Sequence, residues 1–389
     1  LRETLKEESS KLTIAYLART TIPSRAANSL HIMNMCSALG DWGHSVELII
    51  PTNKRIRKEE ESDVSDVFTF YGLRKNFKIK KVSLLPFPGG LLLYLAMIVG
   101  WLKFKRPELV YTRDSHLAGL CCLLGVDVVY ESHYFKVQRK LPYSFLQSVL
   151  IRSKRCVKVI AITKALADQL VIAGYDQRKI GVFPDAAKAP SAESKKINLS
   201  GKFVAGYLGH LYPGKGMEII FPLAKRLPSV SFHVVGGKQE DIDTWKVKGL
   251  PQNLVLHGFV EPGKVSEYLY DFDCCLLPNQ KKVKTSGGGI MDIGAVTSPL
   301  KMFDYMAHGK PVISSDLPVL KEVLTDEVAL FCDPENVDSW IEALQRIKGD
   351  GDLRIAMGIA AKKLFEEKYS WKERARRILE FIHKDVSAA

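Results

Sequence analysis

Ser298-Pro299-Leu300-Lys301-Met302-Phe303-Asp304-Tyr305-Met306-Ala307-His308-Gly309-Lys310-Pro311, followed by Val312-Ile313-Ser314-Ser315, is the stretch on which the reading of this chain turns. Ser298 is a helix-capping type, and Pro299 suits the first helical position, where its missing N–H would go unbonded anyway. Met302, Phe303 and Met306 form an apolar stripe, Gly309 ends the helix, and Pro311 prevents its continuation. The pattern predicts a helix feeding a short buried strand. The free N–H groups of Leu300 and Lys301 at the helix start favour an anion. Lys301 and Asp304 share one face, about 4.5 Å apart along the axis, roughly the separation of a nucleotide's phosphates from its ribose hydroxyls. A nucleotide pocket follows from that pairing; an amphipathic helix with two surface charges has the same spacing.

Working outward, 389 residues suffice for two domains with separate cores. An apolar fraction of 46% excludes a disordered chain. The seven cysteines are scattered, without metal-binding spacing, and read as core thiols in a reducing compartment. Residues 1–11 show no leader pattern, and the missing initiator Met points to a trimmed or tagged start. The longest apolar run, Leu91 to Leu102, is too short to span a bilayer. A cytoplasmic protein is expected, placed at the inner face of the membrane by its charge. Residues 1–200 carry 31 Lys and Arg against 18 Asp and Glu, whereas residues 201–389 carry 25 of each. A basic first half suits an anionic substrate or lipid surface. No nucleic-acid-binding motif occurs, so nucleic acid is not an expected partner.

Leu12 to Leu17 reads as a strand, Ser29 to Leu39 as a helix and Val46 to Ile50 as a second strand, a doubly wound opening without GxGxxG. Ser24, Arg25 and Asn28, in the turn before that helix, bring backbone near a ligand; an ordinary loop fits equally. Arg113-Asp114 and Glu131-Ser132-His133 stand at strand carboxyl ends, where ligands gather in open α/β sheets. Lys136 to Lys158 interleaves basic and apolar residues and could lie on anionic lipid. Residues 184–200 read as a linker.

A second α/β unit begins at Lys202. Its first strand leads into Gly209-His210-Leu211-Tyr212-Pro213-Gly214-Lys215-Gly216, where glycines allow close backbone approach and Lys215 suits a phosphate. Gly236-Gly237 and His257-Gly258-Phe259 close two further strands. Asp271-Phe272-Asp273 matches a metal-binding DxD, but it runs straight into a buried strand and reads as a boundary; no metal is expected. Residues 281–297, with Gly287-Gly288-Gly289, read as a mobile lid.

The Gly209…Lys215-Gly216 turn and the SPxKxFDYMAxGKPV helix resemble GT-B-fold glycosyltransferases, above all the retaining family 4 group that uses nucleotide sugars. The resemblance implies two doubly wound Rossmann-like domains facing a central cleft. It implies an acceptor-side domain over 1–185, a linker at 186–200, a donor-binding domain over 201–368, and a helix over 369–389 crossing back to the first domain. Lys215 and the backbone at Leu300 and Lys301 would hold the donor diphosphate, with Ser298 and Pro299 also on the donor side. Asp304 would hold the ribose diol, and His133 would lie beside the transferred sugar. Gly209, His210, Gly214 and Gly216 would line the phosphates, and Gly236, Gly237, His257, Gly258 and Phe259 would flank the base. Ser24, Arg25, Asn28, Arg113, Asp114 and Glu131 fall on the acceptor or phosphate side.

The expected donor is a nucleoside diphosphate sugar, UDP ahead of GDP, with no other cofactor. The expected acceptor is a glycan or lipid-linked hydroxyl in surface polysaccharide or lipopolysaccharide assembly. Two departures stand out: His210 replaces a usual Arg, and Val296 occupies the position of the family's first acid. An epimerase on the same fold and a non-catalytic donor-binding or membrane-scaffold subunit are the alternatives.

Overall fold

The computed structural model describes residues 11–52, 64, 66–84, 90–190, 197–283 and 292–383. Most of the charged run at 54–66 and the glycine triplet at 287–289 lie outside them. The chain divides into two units: residues 1–161, 166–183 and 375–389 form one, and residues 162–165 and 184–374 the other.

The first unit is a seven-stranded parallel sheet: β1 (Thr13–Leu17), β2 (Ser45–Thr52), β3 (Lys78–Ser83), β4 (Leu109–Thr112), β5 (Val128–Ser132), β6 (Cys156–Ala161) and β7 (Ile180–Val182), in the order β3-β2-β1-β4-β5-β6-β7. β4 and β5 are buried throughout, as parallel strands covered on both faces must be. Order reverses between β1 and β4, which opens a crevice at their carboxyl ends. Phe381, in the helix Trp371–His383, packs on Phe183 with ring centroids 5.5 Å apart.

The second unit holds β8 (Val204–Leu208), β9 (Ser231–Val235), β10 (Leu254–Gly258), β11 (Cys274–Leu277), β12 (Val312–Ser315) and β13 (Ala329–Cys332), all parallel, in the order β10-β9-β8-β11-β12-β13. One face is covered by Ile220 and Leu223 of the helix Met217–Arg226 and by Trp340 and Leu344 of the helix Val337–Gly349. The other face is covered by Met302, Phe303 and Met306 of the helix Leu300–Ala307 with Ala361 and Phe365. Order reverses between β8 and β11.

Several expectations shift. The stretch read as a linker joins the second unit from Pro184 onward: Ala187 is buried, accepts from the Trp371 N–H and donates its own N–H to the Tyr369 carbonyl. Lys158 belongs to β6 and is buried under the Phe381 ring, 4.1 Å from its centroid, so it leaves the basic amphipathic face. Asp271 and Asp273 accept the N–H groups of Leu199 (3.0 Å) and Val204 (2.7 Å), which accounts for both acids structurally. All seven cysteines are free and buried. Among the described residues no helix is long and apolar enough to cross a membrane.

Candidate functional site

In the second unit, the helix Leu300–Ala307 takes Pro299 as its N-cap, with no capping side chain. This corrects the sequence reading, which put Ser298 at the cap and Pro299 one position further on. The Ser298 hydroxyl instead accepts the Asp185 N–H at 3.1 Å. Proline offers no acceptor, so no side chain of the cap closes the start of this helix.

The Lys301 amine projects from that start to within 3.7 Å of the Tyr207 ring centroid, a cation–π contact. It is buried and has no hydrogen-bond partner among the described residues. Burial, reinforced by the charge of Lys215, pushes its pKa well below the ordinary lysine range. Lys215 is also driven down by burial, to about 8. Tyr207 shapes the turn that carries it, because its hydroxyl lies within hydrogen-bond distance of the carbonyls of His210 (2.8 Å) and Lys215 (2.9 Å). Burial first, then the charges of Lys215 and Lys301, lower His210 toward its neutral form.

The glycines make this crowding possible. Gly209 and Gly236 have φ of +135° and +114°, and a Cβ on Gly236 would stand 2.4 Å from the Gly209 carbonyl oxygen. Gly214 and Gly216 donate to Glu218, at 2.9 and 3.2 Å, and Gly216 caps the helix Met217–Arg226. Gly237 abuts Leu211, and the Gly258 carbonyl accepts the Gly236 N–H at 2.7 Å. Phe259 follows, half-buried. The His257 ring is engaged: the His233 Nε2–H donates to the Ser200 carbonyl, so its Nδ1 accepts from His257 Nε2 at 2.9 Å. Burial lowers His257 to about 4, and His233 also lowers it.

Asp304 lies one turn after Lys301. Burial raises its carboxyl to about 7, against the pull of nearby Lys188. Val296 is buried, and its N–H donates to Ile293 at 3.1 Å. Asp292 cannot replace a missing acid there freely, since one of its oxygens accepts the N–H groups of Val283 and Gly294. Sequence reasoning missed Lys188, Tyr207, and the buried Asn279 and Ser315, whose side-chain polar atoms lack partners among the described residues. Asn279 and Ser315 stand at the carboxyl ends of β11 and β12, the one signal that could have picked them out.

In the first unit, Glu131 is fully buried at the end of β5. Its carboxylate accepts from the Tyr111 hydroxyl, and one oxygen lies 2.7 Å from His133 Nε2 and 2.8 Å from His31 Nε2. The two imidazoles meet edge to face, with centroids 4.6 Å apart. Two histidines and a carboxylate have the composition of a metal set; here the His133 nitrogen is hydrogen-bonded to the Glu131 oxygen, and the His31 nitrogen meets the same oxygen at ion-pair distance. Burial, aided by Arg113, lowers His133 to about 3 even though the Glu131 bond pulls the other way. With Nε2–H given to Glu131, Nδ1 is left as an acceptor.

Asp114 caps the helix Ser115–Leu123 through the N–H groups of His116 and Leu117, and pairs with Arg19. Burial works against its charge, but hydrogen bonds from His116 and the Arg19 guanidinium outweigh it and hold the carboxyl at about 2. Arg113 donates to the Asn28 carbonyl at 3.1 Å. Ser24 is buried, its N–H given to the Tyr71 hydroxyl at 2.8 Å, whereas Arg25 is exposed. The residues expected on the acceptor or phosphate side thus split: Asn28, Arg113 and Asp114 line one cavity, which His133 also lines, whereas Ser24 serves the loop, Arg25 is exposed and Glu131 is buried against His133.

Residues 29–186 match the family described as Glycosyltransferase Family 4, and residues 202–350 the family described as Glycosyl transferases group 1. A putative teichuronic acid biosynthesis glycosyltransferase of Bacillus subtilis strain 168, TuaH, is 24% identical over 152 residues, 38% of this chain. That alignment spans 36% of TuaH. Anabaena HepE in complex with UDP superposes with a TM-score of 0.71 at 14% identity, over 97% of this chain and 100% of HepE. Sucrose-phosphate synthase from Thermosynechococcus elongatus does so with a TM-score of 0.72 at 16% identity, over 97% of this chain and 100% of that one. At these identities the structural likeness speaks to the fold.

Proposed function

We propose, from the premise that this chain belongs to the family 4-type glycosyltransferases of the GT-B fold, that it moves a sugar from a nucleoside diphosphate to a hydroxyl of a glycan or lipid-linked acceptor, with anomeric retention. The observation that carries this reading is the pair of amines in the second unit. The buried Lys301 amine has no hydrogen-bond partner among the described residues, and the charge of Lys215 reaches it and helps lower its pKa, whereas Lys215 is itself lowered by burial. Two such amines beside a helix start with no capping side chain form a receptor for a diphosphate. UDP is the preferred nucleotide, since HepE of the same fold is crystallised with UDP, and TuaH's name supports a role in surface polysaccharide assembly.

Breaking the anomeric C–O bond builds positive charge on the ring and negative charge on the departing diphosphate. Lys215, Lys301 and the N–H groups of Leu300 and Lys301 meet that charge where it grows. The leaving phosphate oxygen then takes the acceptor hydroxyl's proton on the face it has just left, so configuration is retained. Asp304 holds the ribose diol. Because lysines and backbone dipoles answer the phosphate charge, we take the reaction as metal-independent, with turnover surviving a chelator.

The buried Val296 favours one second reading, a subunit that binds donor without transferring it. A single experiment addresses both. UDP release from UDP-sugars is measured for the wild-type chain with and without EDTA, and for Lys215→Ala and Lys301→Ala. Each substitution is expected to slow release on the order of 100- to 1000-fold, the usual cost of one oxyanion-stabilising donor. Unchanged turnover in both variants would move the diphosphate elsewhere, and UDP binding without release would favour the non-catalytic subunit.

A further inference from the structure

The first unit's cavity lies at the carboxyl ends of β1, β4 and β5 and encloses about 220 Å³. The side chains lining it that bear charge or an imidazole are Arg19, Arg113, Asp114, His116, His133 and Lys136. Asp114 is the only carboxylate among them, and it is already committed to Arg19 and to two N–H groups of the helix Ser115–Leu123. Arg113, half-buried, has no carboxylate partner among the described residues and spends one N–H on the Asn28 carbonyl. A guanidinium carries five N–H donors in a planar fork, so most of its capacity remains for an oxyanion. Lys136 adds a second positive charge. The Gln147 side chain fixes its loop, donating to the Lys136 carbonyl and accepting the Gln138 N–H, both at 2.8 Å. Tyr134 and Phe135 supply aromatic wall beside these charges.

We propose that this cavity takes an acidic saccharide: the acceptor presents a carboxylate or a phosphate whose oxygens sit in the Arg113 fork, with Lys136 as the second cation. The inference rests on the glycosyltransferase reading and adds the chemical class of its acceptor. A neutral sugar would leave the Arg113 charge without a counter-charge in a partly desolvated pocket, whereas an oxyanion makes a charge-assisted pair there.

Calorimetry on the full chain with UDP present tests it, using methyl glucuronide, sn-glycerol 3-phosphate and methyl glucoside as probes. At least one anionic probe is expected to bind about tenfold or more tighter than the glucoside, a margin of the size one charge-assisted pair supplies. The glucuronide winning assigns a carboxylate, and the glycerol phosphate winning a phosphate. Arg113→Gln abolishes the preference and Arg113→Lys restores part of it. Lys136→Gln, at an exposed position, weakens the preference and keeps the test open if Arg113→Gln fails to fold. Equal or undetectable binding of all three probes, or a preference indifferent to both substitutions, overturns the proposal. Binding of UDP and of GDP by the wild-type chain is scored separately. Binding of neither UDP nor GDP sinks the glycosyltransferase reading, whereas nucleotide binding without any anion preference sinks only the acidic acceptor.

Discussion

Asp304 shows how burial sets the charge state of one side chain, with a consequence for the binding role proposed for it. Burial raises its carboxyl to about 7, so the ligand-free protein is more stable with it protonated. That contribution is complete below the ordinary aspartate range and is lost as pH rises through 7. A carboxylate accepting two ribose hydroxyls works best ionised, which requires the higher pH. Lys215, held near 8, loses its charge above that value. Affinity for a UDP-sugar, whose diphosphate stays fully ionised over this range, is therefore expected to rise through pH 7 and fall above 8. Asp304→Asn should flatten the acid limb, leave the alkaline limb, and raise the thermal midpoint of the ligand-free chain at pH 8. Calorimetric titrations from pH 6 to 9 with parallel melts check this; an acid limb that survives the substitution assigns it to another group. Lys301, Asp304 and His133 could be singled out as candidates in the sequence because motif and strand-end position mark them. Lys188, His31 and Asn279 could not. Each gains its place only from tertiary neighbours, and a lone polar residue after an apolar run does not announce where it points.

At the scale of the element, the sequence reading located the helix Leu300–Ala307 and missed how it begins. Ser298 has the chemistry of a cap, but the backbone of Asp185, more than a hundred residues away, claims its hydroxyl. Local propensity cannot see a competitor that distant. The basic amphipathic stretch is a similar case. Leu146 and Leu150 of the helix Tyr143–Arg152 turn inward, and Lys158 is buried in β6. What remains outside is Val137 at 63% exposure, Leu141 at 78% and Phe145 at 50%, with exposed Arg139 and Lys140. We propose that this group rests on anionic lipid, each apolar side chain contributing roughly 1.5–3 kcal/mol when fully withdrawn from water. Sedimentation with phosphatidylglycerol vesicles is expected to pull down the wild-type chain, and neutral vesicles or high salt to release it. The double substitution Leu141→Ser with Phe145→Ser should cut the bound fraction at least tenfold; retention by neutral lipid, or an unaffected double variant, rules the contact out.

For the whole molecule, two parallel sheets could be read from alternating apolar runs and helical periods, because strands covered on both faces leave that mark in sequence. The borders were harder. Residues near Ala187 look like a tether by composition yet bridge to Ser370 inside the second unit, a pairing no local pattern encodes. The seven sulfhydryls distributed over both units carry one last consequence. Burial drives them up, those of Cys121, Cys156 and Cys332 to about 12, so the native chain should stand inert toward maleimides and aromatic disulfides. Denaturation exposes four of them in the first unit and three in the second. Colour development with such a reagent would then time unfolding without any engineered label, and a cysteine placed at exposed Ile172 would become the sole attachment point for a fluorophore on the native surface. Rapid modification of the unaltered chain before it melts would contradict that picture.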